Sequence, residues 1–82
     1  MSNAERTGDI HDLDVTVWVG KRGVDAVTDE LHDQLGERQL VKVKFLRASR
    51  GGTDTQSLAE TLATEVNADL VQVRGHTAVF ER

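Results

Sequence analysis

Across four residues, Gly20-Lys21-Arg22-Gly23, the hydrophobic period of this chain changes from two to that of a helix. Before them Val15, Val17 and Val19 alternate with Thr16 and Trp18, the pattern of a strand with one buried face. After them Val24, Val27, Leu31 and Leu35 recur at helical spacing, with Asp25, Asp29, Glu30 and Asp33 on the other faces. Acids early in a helix suit its dipole, and Gly36 reads as a left-handed stop. A strand that passes into a helix through a short glycine turn is half of a parallel β-α-β unit, so the chain is committed to an α/β design.

The other half follows. A strand is predicted from Leu40 to Arg47, with Val41, Val43 and Phe45 facing inward and Lys42 and Lys44 outward. Ser49-Arg50-Gly51-Gly52 reads as a loop, and Thr53 with Gln56 as a capping box that starts a second helix. Leu58, Leu62 and Val66, flanked by Ala59 and Ala63, give that helix its buried stripe, and Asn67-Ala68-Asp69 ends it. Val71 and Val73 then alternate with Gln72 and Arg74, and Gly75-His76 turns the chain into a last strand from Thr77 to Arg82. Ile10 and Leu13 allow one helical turn at the start. The expected order is (α)-β-α-β-α-β-β, an α/β two-layer sandwich. Its sheet is four-stranded and mixed, with both helices on one face.

With 82 residues the chain makes one domain, read here as residues 10–82 behind a flexible tail of residues 1–9. It has no Cys and no Pro, so neither a disulfide nor a thiolate metal site can staple it, and packing must supply the stability. No apolar run is long enough to span a membrane, and the polar start lacks a signal-peptide core. The expectation is a cytoplasmic monomer.

Fourteen acids against ten Lys and Arg give a net charge of −4, which argues against binding nucleic acid by bulk charge. The signs are segregated, however. Asp25 to Asp33 holds four acids and no Lys or Arg, whereas Lys42 to Arg50 holds four bases and no acid. If the valines face the helices, the opposite sheet face carries Thr16, Trp18, Lys42, Lys44, Gln72 and Arg74. An aromatic ring among cations suits a stacked base with phosphates alongside. The alternative is that Trp18 packs beneath Ile10 and Leu13, with the lysines serving only solubility. The Gly20-Lys21-Arg22-Gly23 turn is the sharper signal. Glycines let a phosphodiester come close, amides at the start of a helix point at an anion, and Lys21 and Arg22 add charge. KH modules clamp a nucleic-acid backbone with the same GXXG logic. It is not a P-loop, since the GK[ST] ending is missing. Arg47 and Arg50 on the next loop either reach toward RNA or solvate a long connection.

Catalytic groupings are not found. His11, His32 and His76 lack metal-ligand spacing, Ser49 and Ser57 lack an activating neighbour, and the Asp25, Asp29, Asp33 stripe reads as a solubilising face. No enzyme activity, cofactor or metal is expected.

Taken together, His11-Asp12-Leu13, Val17 to Gly20, Gly23-Val24, Leu40-Val41-Lys42-Val43-Lys44 and the run from Val71 to Phe80 resemble the CRM domain. This is the chloroplast RNA splicing and ribosome maturation module, whose single-domain prokaryotic form is the YhbY type. The resemblance covers residues 10–82 and closes with a G-x-T-x-V-x-x-R pattern from Gly75 to Arg82. It implies a fold similar to the C-terminal domain of translation initiation factor three. It also implies RNA binding without catalysis, in assembly of the large ribosomal subunit. Carried over by position, the RNA loop is Gly20, Lys21, Arg22 and Gly23 and the basic strand is Lys42 and Lys44, while His76 and Thr77 fall in the last hairpin. The opening segment departs from the family: it is short and acidic, with Val15 where a proline is usual. Seven Arg against three Lys, with abundant Asp, suggest a salt-adapted archaeal source. The resulting expectation is a non-catalytic RNA-binding protein whose site is Trp18, Gly20, Lys21, Arg22, Gly23, Lys42, Lys44, Arg47, Arg50, Arg74 and His76. The alternative is a protein-interaction module centred on Trp18.

Overall fold

The computed structural model describes residues 13–82; the expected tail and the early helical turn around Ile10 lie outside them. Strand β1 spans Val15–Val19, helix α1 Thr28–Glu37, β2 Leu40–Phe45, α2 Thr55–Val66, β3 Asp69–Arg74 and β4 Thr77–Glu81. The sheet order is β1-β2-β4-β3. β1 is parallel to β2, while β4 runs antiparallel to both β2 and β3, so β1, β2 and β3 all point the same way. Two crossovers advance in one direction, which puts both helices on one face of the mixed sheet. The two-layer sandwich expected from the sequence is the architecture observed.

The core lies between that face and the helices. Val17, Val19, Val41, Val43, Phe45, Ala78 and Phe80 meet Leu31, Leu35, Ala59, Leu62 and Val66, with Leu58, Leu70 and Val73 at the margin. Each large side chain so buried contributes roughly 1.5–3 kcal/mol of transfer free energy. At the end of α2, Asn67 takes a left-handed conformation (φ 56, ψ 47), which its short polar side chain tolerates, and its amide closes on the carbonyls of Ala63 and Thr64.

Four local details differ from the sequence pattern. The segment after Gly23 begins as a 3-10 turn, Val24–Val27, and α1 starts only at Thr28. Gly36 stays inside α1, which ends where Arg38 turns extended. Asp54, not Thr53, caps α2: its carboxylate accepts the Ser57 amide at 2.8 Å. β2 stops at Phe45, and Arg47–Ser49 forms a 3-10 turn.

Two bulges change which residues share a face. Val15 pairs with Lys42 and Val17 with Val43, so Thr16 is the extra residue in β1. It is turned to the helix side, where its hydroxyl donates to Gln34 Oε1 at 2.6 Å and its carbonyl accepts from Gln34 Nε2 at 3.3 Å. In β3, Leu70 pairs with Phe80 and Gln72 with Val79, which leaves Val71 unpaired. Leu70, rather than Val71, therefore packs on the core.

Candidate nucleic-acid interface

With these registers, the sheet face away from the helices resolves into three rows. The first is Trp18, Lys44, Thr77 and Arg74 across β1, β2, β4 and β3. The second is Val15, Lys42, Val79 and Gln72, and the third is Leu40, Glu81 and Asp69. Neighbouring strands are about 4.8 Å apart, so a row extends roughly 14 Å over four strands. Thr16, expected on this face, is absent from it for the reason given above. Val79, between Lys42 and Gln72 on this face, is 2% exposed.

The rows are polarised along the strands. The first, at the carboxyl ends of β1, β2 and β3, is aromatic and cationic; the third, at the other end, carries Glu81 and Asp69. Trp18 is 52% exposed; the alternative that it packs on Ile10 involves a residue outside the described ones. Its neighbour Lys44 is exposed, and Lys42 is half-buried beside Val79.

The carboxyl end of this sheet also gathers every loop that the sequence singled out. β1 runs into residues 20–23, β2 into residues 46–54, and β3 into the turn at Gly75-His76. These loops are tied together by backbone hydrogen bonds. The Leu46 amide donates to the Val19 carbonyl at 2.8 Å, and the Phe45 amide donates to the His76 carbonyl at 2.7 Å. In open α/β sheets, the region beyond the carboxyl ends of parallel strands is where ligands bind.

Within residues 20–23 the Gly23 amide donates to the Gly20 carbonyl at 2.9 Å, closing a four-residue turn. Gly23 has φ 83 and ψ −177, a region open to glycine alone. The turn leads into a four-residue 3-10 segment rather than an α-helix. The expected cradle of helix amides is therefore not what this turn offers: the Gly23 amide is occupied inside the turn. The turn instead lifts Lys21 and Arg22, both exposed, off the end of β1. Among the described residues no side-chain hydrogen bond holds either of them.

The two arginines of the next loop differ. Arg47 is exposed. Arg50 is half-buried, and its Nε donates to the Phe45 carbonyl at 3.1 Å, so it braces the loop against the end of β2. Arg74 and His76 stand exposed on the β3–β4 hairpin, where Gly75 takes φ 59. Seven of the ten Lys and Arg thus lie on this end or the adjoining open face: Lys21, Arg22, Lys42, Lys44, Arg47, Arg50 and Arg74.

Of the acids of residues 25–33, Asp25 and Asp29 lie beside Glu65 of α2. Desolvation among its neighbours and a contact with the Asp25 carboxyl hold the Glu65 carboxyl above its ordinary value. Asp29 and His32 line a shallow hollow with Glu65.

The model of the CRS1/YhbY (CRM) domain matches residues 3–82. The chain belongs to the CRM domain family. The CRM domain is 42% identical over 72 residues to the Probable RNA-binding protein MJ0652 of Methanocaldococcus jannaschii. Those residues are 88% of this chain and 54% of that protein, so the chain spans about half the length of its relative. Among solved structures it is similar to SAV1595 of Staphylococcus aureus, a hypothetical protein put forward as RNA-binding. The TM-score is 0.75, with 32% identity over 94% of this chain and 78% of the other.

The CRM domain carries two features here that its sequence pattern hides. One is the row order, which depends on the two bulges. The other is a groove beside Arg50, lined among others by the cap residue Asp54. Among the described residues no helix is long and apolar enough to cross a membrane, and no three His, Asp or Glu side chains are grouped to hold a metal ion.

Proposed function

We propose that this CRM domain binds structured RNA, and that its target is ribosomal RNA during assembly of the large subunit. The carrying observation is the gathering of Trp18 and seven cations at one end and face of the sheet, while Asp25 and Asp29 lie with Glu65 on the helix layer. A chain of net charge −4 attracts polyanions only through such a patch. The RNA backbone runs over the turn at residues 20–23, held by the charges of Lys21 and Arg22. Lys42, Lys44, Arg47 and Arg74 extend the footprint, and an unpaired base stacks on Trp18. The family membership and the names of its relatives support RNA as the ligand.

Gel-shift titration against fragments of large-subunit ribosomal RNA tests this reading. Reversing both charges, Lys21→Glu with Arg22→Glu, is expected to weaken binding about tenfold or more, since two attractions become repulsions at close range. Unchanged affinity removes the turn from the site. Among the described residues, Trp18 and the 39% exposed Leu46 are the large apolar side chains left open. A partner that copurifies through Trp18 and survives RNase would favour protein interaction instead.

A further inference from the structure

The groove between the β2–α2 loop and the β3–β4 hairpin has a composition that the basic patch does not explain. Arg50, Asp54, Thr55, Val73 and His76 line it. Thr55 is the buried polar side chain of the described core, 7% exposed. Among the described residues its hydroxyl has no hydrogen-bond partner, yet none of their buried side-chain oxygens or nitrogens is left sealed and unpaired. The hydroxyl therefore opens on the groove that Thr55 lines. A hydroxyl open on the groove pairs with water or with whatever occupies the groove, donating one hydrogen bond and accepting others.

The neighbours say what that is. Asp54 caps α2 by accepting the Ser57 amide on Oδ1, and its carboxylate, an acceptor with further lone pairs, lines the groove. A carboxylate there repels a phosphate and rewards an N–H donor. Val73 supplies an apolar surface, while the Arg50 guanidinium, fixed through its Nε, and the His76 ring supply planes on which a base can stack. Resting on the RNA-binding reading above, we propose that this groove receives one unpaired base of the bound RNA and prefers the bases with an exocyclic amino group, adenine, cytosine and guanine, over uracil. The amino group donates to the Asp54 carboxylate, and the Thr55 hydroxyl pairs with a ring nitrogen or carbonyl beside it. Uracil presents carbonyl oxygens where the carboxylate stands.

Fluorescence anisotropy at fixed salt, with labelled RNA hairpins identical except for five-nucleotide loops of adenine, cytosine or uracil, decides the matter. The unmodified protein is expected to bind the adenine and cytosine loops about tenfold tighter than the uracil loop, the discrimination of one good base contact. Asp54→Asn keeps an N-cap side chain but exchanges the acceptor for an amide, and Thr55→Val removes the hydroxyl at equal size. Either is expected to erase the preference while leaving uracil-loop affinity within about twofold, since the phosphate contacts are untouched. Should Thr55→Val fail to fold, Asp54→Asn carries the test. Equal affinity of the unmodified protein for all three loops, or a preference that survives both substitutions, overturns the groove alone. Failure to bind any hairpin overturns the RNA-binding reading and the groove with it.

Discussion

The Gly23 amide donates to the Gly20 carbonyl at 2.9 Å, yet the two glycines that this bond joins answer to different constraints. Gly23 sits at φ 83, ψ −177, where a side chain is strained although no atom lies within 4 Å of an added Cβ. Gly20 has no positive φ, and its added Cβ would meet Leu46 Cδ1 at an ordinary 3.8 Å. Gly23→Ala is expected to cost about 1–3 kcal/mol of stability, the usual penalty for such backbone strain. Gly20→Ala should stay within about 0.5 kcal/mol. Urea denaturation of both variants checks the pair, and equal losses would contradict this account of the turn.

Trp18 is paired with Lys44 across β1 and β2 and is half open to solvent, so its loss removes little packing. Trp18→Ala is expected to leave the melting temperature nearly unchanged while weakening RNA binding by about 1–3 kcal/mol, the value of one stacked base. Lys44→Ala should act otherwise. Losing one phosphate contact lowers the slope of log affinity against log salt by about 1, with similar effect on all sequences. Titrations at several salt concentrations separate the two effects, and a steep melting loss in Trp18→Ala would show that the ring is structural.

Much of this was legible in the sequence, because burial on one face writes itself as period. Val17, Val19, Val41, Val43 and Phe45 alternate strictly, and all are buried. Leu31, Leu35, Leu62 and Val66 follow the helical repeat into the same core. The bulges were not legible. Thr16 and Val71 sit in runs whose alternation predicts unbroken strands, and only tertiary bonds, such as Thr16 with Gln34, reveal the extra residue. The turn at residues 20–23 was legible as glycines and charge, but not its internal closure. A hydrogen bond from Gly23 to Gly20 leaves no compositional trace. The cap of α2 was hidden for a similar reason: Thr53 and Asp54 are both good caps, and the sequence alone does not choose between them.

The core is small, so it tolerates little loss. Phe45 and Phe80, both 0% exposed, stand on neighbouring central strands against the helices. Phe80→Ala is expected to cost about 3–5 kcal/mol. Small domains have only about 5–15 kcal/mol in total, so circular dichroism should find this variant partly unfolded at 37 °C. Full native signal and cooperative melting near the parent temperature would show that the site collapses around the smaller side chain.

Two carboxylates give opposite pH dependences. At Asp54, the Ser57 backbone N–H and then the Ser57 side chain hold the carboxyl below its ordinary value. The folded state thus prefers the charged form. The stability this adds is present above the unfolded carboxylate value and is lost as pH falls through the lowered folded one. Glu65 is the reverse. Desolvation and the Asp25 carboxyl raise it, so the folded state binds its proton more tightly than the unfolded chain does. That contribution is complete at acid pH and disappears as pH rises through the raised value, which leaves a repulsion at neutrality. Glu65→Gln is therefore expected to raise the melting temperature at pH 7 and to change it little at pH 3.5. Asp54→Ala is expected to lower it by several degrees at pH 7, with the loss shrinking toward pH 3. Thermal melts of the three proteins at these pH values test both signs at once. If Glu65→Gln melts lower at pH 7, Asp25 and Glu65 are not neighbours that repel in solution, and the acidic side of the molecule is arranged differently from the one described.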